Sequence, residues 1–126
     1  MKEKGVFLIM TTTMETHMDR YQKCIDICNR CMVECEFCLD ACLHEPDVAQ
    51  RVECMELLKD CIEICSIAAK YMAANSRFAS QICELCAEIC DACAAECEMF
   101  EDNHCQTCAQ ICRDCAAECR NMVQHA

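Results

Sequence analysis

Residues 24–42, CIDICNRCMVECEFCLDAC, place Cys24, Cys28, Cys31, Cys35, Cys38 and Cys42 at alternating steps of four and three. On an α-helix, residues three and four apart lie side by side, so this run writes a sulfur stripe along one face, where a bundle normally carries Leu. The rhythm returns in residues 83–97, with Cys83, Cys86, Cys90, Cys93 and Cys97, and again in residues 105–119, with Cys105, Cys108, Cys112, Cys115 and Cys119. Three helices striped in this way imply a core made of thiols.

The segments between the stripes set the architecture. The first helix is expected from about Thr13 to Leu43, where His44-Glu45-Pro46-Asp47 breaks it. A second helix follows from about Asp47 to Ala74 and carries Cys54, Cys61 and Cys65, with Leu58, Ala68 and Met72 as inward neighbours. Asn75-Ser76 is the next break, with Ser76 as N-cap, and the third helix runs to about Phe100. Glu101-Asp102-Asn103 makes the last turn before the fourth helix. Short connections make neighbours antiparallel, so the expected fold is all-α: an antiparallel up-down-up-down four-helix bundle with a cysteine-lined core. By organisation, residues 1–13 are a short extension, helical or without fixed structure, and residues 14–126 are the bundle.

Composition agrees. One Gly, one Pro and six aromatic residues in 126 leave little of the turn chemistry of a sheet protein. Cysteine buries little apolar area, so the stabilisation of a single chain should be modest and oligomerisation would add burial. The second helix is apolar on several sides, Met55 and Ile62 on one flank and Ile64, Ile67 and Tyr71 on another; this surplus reads as a subunit interface in preference to simple packing. Gln106, Gln110, Arg113, Asp114 and Glu118 put the outer face of the fourth helix in water. A net charge of −11 argues against nucleic acid, which needs a Lys/Arg-rich face. No run reaches the length of a membrane span, and Val6-Phe7-Leu8-Ile9-Met10 is shorter than the apolar part of a signal peptide, so a cytoplasmic location is expected.

The topology gives the two ends different chemistry. Cys42, Cys97 and Cys105 share one end with His44, Met99 and His104, which reads as an open mouth. Met18, Tyr21, Met72, Phe78 and Met122 gather at the other and read as a hydrophobic plug. A second soft-metal mouth there, lined by His17 and His125, is the lesser alternative. Met99 reads as packing in preference to a ligand, and His44 as either a solvated turn histidine or a ligand.

Cysteine can stand in for a small hydrophobe, but nineteen residues in this register point to metal. Disulfides fit poorly, since stripe neighbours point the same way and facing helix axes lie about 8–10 Å apart. Among metals, charge decides. Thiolates are the ligating form, and a buried anion needs compensation. Cu(I) supplies one positive charge per thiolate at about one ion per cysteine. Zinc with four thiolates leaves an excess of two negative charges and needs four sulfurs converging on a point, which parallel stripes should provide poorly. The CxxxC pairs Cys24/Cys28, Cys31/Cys35, Cys38/Cys42, Cys61/Cys65, Cys86/Cys90, Cys93/Cys97, Cys108/Cys112 and Cys115/Cys119 are the expected two-sulfur units. An iron–sulfur protein would want a Cys-Pro in a wrapping loop, and Pro46 follows no Cys. A thiol redox buffer would want exposed thiols near positive charge. No catalytic step is assigned.

The motifs CxxxCxxCxxxCxxCxxxC and, twice, CxxCxxxCxxCxxxC resemble those of the copper storage proteins, in particular their cytosolic bacterial branch, over about residues 14–126. The resemblance implies many Cu(I) ions bound per chain, a homotetramer of bundles, copper entering at one end and a role in storage or sequestration, with a copper chaperone as a candidate partner. It also implies a His near the mouth, a place that His104 beside Cys105 fills. The expected ligands are thus all nineteen cysteines and His104.

Overall fold

The computed structural model describes the backbone from Lys2 to Gln124 and the side chains from Arg20 to Gln124. The chain forms α1 (Lys2–Leu43), a 3₁₀ turn η1 (Val48–Arg51), α2 (Val52–Ala73), α3 (Ala79–Cys97) and α4 (Asn103–Gln124). α1 packs on α2 and α4, and α3 packs on the same two, while α1 and α3 face each other only across the core. This is the expected antiparallel four-helix bundle. Among the described residues no helix is long and apolar enough to cross a membrane.

Boundaries shift for local reasons. α1 starts at Lys2, ahead of Thr13, because residues 2–13 contain no proline and a single glycine, Gly5. The chain leaves α1 through a tight turn, His44 N–H donating to Ala41 O and Glu45 N–H to Cys42 O. Beyond Pro46 it makes the 3₁₀ turn before α2 begins at Val52 rather than at Asp47. α2 closes with Asn75 at φ 51°, a left-handed position that Asn tolerates. Ser76 N–H donates to Tyr71 O and Asn75 N–H to Met72 O, which together satisfy the last carbonyls of the helix. Ser76 therefore does not cap α3 directly. Its Oγ accepts from Phe78 N–H one turn earlier, and the helix starts at Ala79. α3 ends at Cys97 rather than Phe100, as Met99 N–H and Phe100 N–H turn back to Glu96 O and Cys97 O.

The interior is the sulfur expected from the sequence. All nineteen cysteines are buried, and the large apolar side chains buried with them are few: Leu58 and Met72 are fully enclosed. Small residues flank the stripes, Ala87 and Ala94 on α3 and Ala109 and Ala116 on α4. On the flanks of α2, Ile62 and Ile64 are buried within this one chain and Met55 packs partly against the core. Contacts inside the bundle thus account for most of the apolar surplus that the sequence assigned to a subunit interface. Only Ile67 and Tyr71 of that set remain exposed.

Candidate metal centre

The four stripes meet as a ladder of thiols. No disulfide forms, since the shortest sulfur contacts are 3.6 Å, far beyond a bond of about 2.05 Å. Three CxxxC pairs touch, Cys31/Cys35, Cys61/Cys65 and Cys86/Cys90, at 3.8–4.0 Å. The closest contacts instead join different helices: Cys35–Cys108, Cys54–Cys97 and Cys61–Cys90, each at 3.6 Å. The two-sulfur unit is therefore mainly inter-helical, because all four stripes face one axis while same-helix neighbours are held apart by the rise of the helix.

Sulfurs also converge more than the stripes suggested. Cys28, Cys86, Cys115 and Cys119 have their sulfurs within 4.8 Å of one another, and so do Cys31, Cys65, Cys90 and Cys115, and Cys31, Cys35, Cys61 and Cys112. Poor convergence therefore does not exclude zinc, contrary to the expectation from parallel stripes: facing helices bring together what one helix spreads along its length. What disfavours isolated four-thiolate ions is sharing. Cys31 and Cys115 each belong to two of these sets, and Cys119 belongs also to Cys24/Cys83/Cys119, so ions filling the ladder must be bridged by common sulfurs. Bridging suits a monovalent soft ion, whose charge matches one thiolate.

At the mouth, Cys38, Cys42, Cys105 and His104 form a mixed set within 4.8 Å. His104 Nδ1 lies 3.4 Å from Cys38 Sγ and 3.5 Å from Cys105 Sγ. Its Nε2 lies 3.1 Å from Glu45 Oε1, a carboxylate that can only accept, so in the neutral ring Nε2 carries the proton and Nδ1 presents its lone pair to the sulfurs. Burial, then the neighbouring Cys42, push the Cys105 thiol up to about 12, so it is protonated in the empty protein at neutral pH. Cys97 sits a layer inward against Cys54.

Other residues assigned to the ends stand apart. His44 has its side chain 77% exposed, and its Nδ1 lies 2.8 Å from Asp40 O, which leaves it a turn histidine. Met99 is 73% exposed and away from the sulfurs. At the plug, Tyr21, Met72 and Met122 are buried as expected, but Phe78 is 47% exposed and does not close it. Met18, His17 and His125 have side chains outside the described residues.

The sequence reading missed what fills the mouth. Arg51 is only 4% exposed, with Nε 2.6 Å from Asp47 Oδ1, Nη2 2.6 Å from Asp102 Oδ2 and Nη1 3.5 Å from Cys105 Sγ and 3.8 Å from Cys42 Sγ. Its guanidinium stacks 4.4 Å from the centre of the Phe100 ring. Burial works against its charge, but the bonds to Asp47 and Asp102 outweigh that and raise its affinity for the proton. The hydrogen bond from Arg51 in turn lowers the carboxyl of Asp102. The mouth is thus covered by a cation rather than open. The register held the signal: Arg51 stands three residues before Cys54, on the stripe that continues through Leu58, Cys61 and Cys65.

The profile of the family described as copper storage protein matches residues 17–124. The chain belongs to the copper storage protein family. Among solved structures, this family member resembles the Cu(I)-bound copper storage protein BsCsp3 at 41% identity and TM-score 0.78, over 82% of this chain and 98% of that one. It matches the copper-free copper storage protein 3 of Bacillus subtilis with the same figures. A cytosolic copper storage protein of Streptomyces lividans, solved with five coppers, matches at 31% identity and TM-score 0.81, over 87% of this chain and 97% of that one. No curated protein sequence matches.

Proposed function

We propose that this copper storage protein holds many Cu(I) ions, about one per cysteine, in the cytosol. The observation that carries this reading is the overlap of the thiol sets at Cys31 and Cys115, which calls for ions that share sulfurs. The cytosolic relative of Streptomyces lividans supports the location, and nineteen free thiols suit a reducing compartment. The ligands are the nineteen cysteines and His104, within a bundle domain of residues 14–126. No reaction is catalysed.

Loading is proton exchange. Averaged over the full ladder, each Cu(I) releases one proton, RSH + Cu⁺ giving RS–Cu + H⁺, so the filled core is near neutral. His104 Nδ1 and Cys105, with Cys42 beside them, meet the ion first, and it moves inward as neighbouring sulfurs 3.6–4.0 Å apart exchange it. A copper chaperone is the natural donor, and Ile67 and Tyr71, exposed on α2 as Val52 is at its start, are the apolar residues around which a tetramer would be built.

Anaerobic Cu(I) titration of the reduced protein, with metal analysis of the product, tests the reading. Saturation near one ion per cysteine supports it. Saturation at one or two ions, or a preference for zinc at four thiolates per ion, would replace it with a zinc site; iron with acid-labile sulfide would indicate an iron–sulfur protein, and ready disulfide formation without metal a redox buffer.

A further inference from the structure

The buried guanidinium of Arg51 is unexplained by storage alone. A ladder loaded at one copper per thiolate needs no protein cation, yet this chain places one against the two outermost sulfurs and anchors it on three sides. The exception is the first ion. Before neighbours are filled, a lone Cu(I) held by two thiolates carries a net charge of −1, and burying that charge unpaired is costly.

We propose that Arg51 is the counter-charge for the first copper: it makes Cys42 and Cys105, with His104, a site for a single Cu(I) held by two thiolates, from which the ladder is then filled. This rests on the copper-storage reading. The charges balance, because Cu⁺ and two thiols give [Cu(SR)₂]⁻ and two protons, and the anion is paired with the guanidinium already in place. Cys42 Sγ and Cys105 Sγ are 4.0 Å apart, a separation that one ion can bridge. The contacts to both sulfurs put Nη1 roughly 3 Å from the midpoint of the pair, close enough for strong attraction to the anion and too close for the ion to sit on that side, where it would meet a like charge. The ion is thus directed away from the guanidinium, and His104 Nδ1, 3.5 Å from Cys105 Sγ, is the neighbouring donor that can complete its coordination. Asp47 and Asp102 hold the guanidinium in place and lower its burial cost; water screens these part-exposed carboxylates more than it screens the buried guanidinium, whose field therefore acts mainly on the sulfurs beside it. Arg51 is a positioning residue in this scheme, not a ligand.

The test compares the wild-type chain with Arg51→Met, which keeps the stem against Phe100, and Arg51→Lys, which keeps the charge. Cu(I) is delivered from a bicinchoninate complex under nitrogen while loading rate, proton release and total copper are followed, with circular dichroism to verify the fold. The expected result for Arg51→Met is loading slower on the order of tenfold, the size of a lost hydrogen bond to a charged group, with unchanged capacity. Proton release for the first equivalent should fall from about two towards one, and Arg51→Lys should restore most of both. Should Arg51→Met not fold, Asp102→Asn, which loosens the guanidinium, is expected to slow loading in the same sense. Faster loading in Arg51→Met would make Arg51 a plug and overturn the proposal, as would unchanged rate and proton count. A wild-type chain that takes up no more than one or two coppers would instead remove the storage reading itself.

Discussion

Glu45 and His104, 59 residues apart in sequence, meet at 3.1 Å, and this contact turns the imidazole so that Nδ1 faces the sulfurs of Cys38 and Cys105. A loop carboxylate thereby sets which nitrogen faces the thiols. His104→Ala is expected to slow both loading and removal by a chelator, roughly tenfold, with little change in total copper. Glu45→Ala, which frees the ring to rotate, should slow them by less. Stopped-flow traces with a coloured Cu(I) chelator check both, and unchanged traces for His104→Ala would move the route of copper elsewhere.

His44 and Met99 share that end of the bundle but point into water. Replacing either by Ala should leave loading rate and capacity within error of wild type. A several-fold change in the same stopped-flow measurement would bring the exposed turn into the copper path.

The empty protein should lose stability at alkaline pH. Burial raises the Cys105 thiol from 9.0 to about 12, so the folded chain holds this proton more tightly than the unfolded chain. The stabilisation is complete below about pH 9 and is lost as pH rises from there through about 12. Urea midpoints of the copper-free protein should be level near neutrality and fall above about pH 9. The loaded protein, whose thiols have already given up their protons, should show no such fall.

Leu58 is fully buried among the thiols. Leu58→Ala leaves a cavity and removes one of the few large apolar groups of the core, at a cost of about 2–5 kcal/mol. Urea denaturation of the empty protein would register it, while copper capacity should not change, because no sulfur is removed.

Because neutral thiols pack as small apolar groups and Asn75-Ser76 ends α2 without metal, the copper-free chain should already be helical. Circular dichroism of the metal-free protein should match that of the loaded form, with copper raising the melting temperature. A coil spectrum without copper would instead couple folding to metal, as in a zinc finger.

The periodic features are legible in the sequence. Steps of three and four place a residue on one face whatever the neighbouring helix does, so the inward direction of Cys24 to Cys42, of Leu58 and Met72, and of the stripes on α3 and α4 follows from helix geometry alone. Pro46 and Asn75 likewise end their helices through backbone chemistry that is local to the chain. Local rules were weaker for the apolar flanks of α2, since hydrophobicity at Ile62 and Ile64 does not say whether the covering surface belongs to the same chain or to another.

A bundle of helices with a thiol core, and the end that carries His104, follow from periodicity and short connections, which are properties of the chain. Which sulfurs pair at 3.6 Å between helices, the sharing of Cys31 and Cys115 between sets, and the place of Arg51 over Cys42 and Cys105 between Asp47 and Asp102 arise only in the folded bundle. These relationships depend on the axial offset and rotation of one helix against another. Those are set by packing over the whole core and by the 3₁₀ turn Val48–Arg51, not by any local spacing.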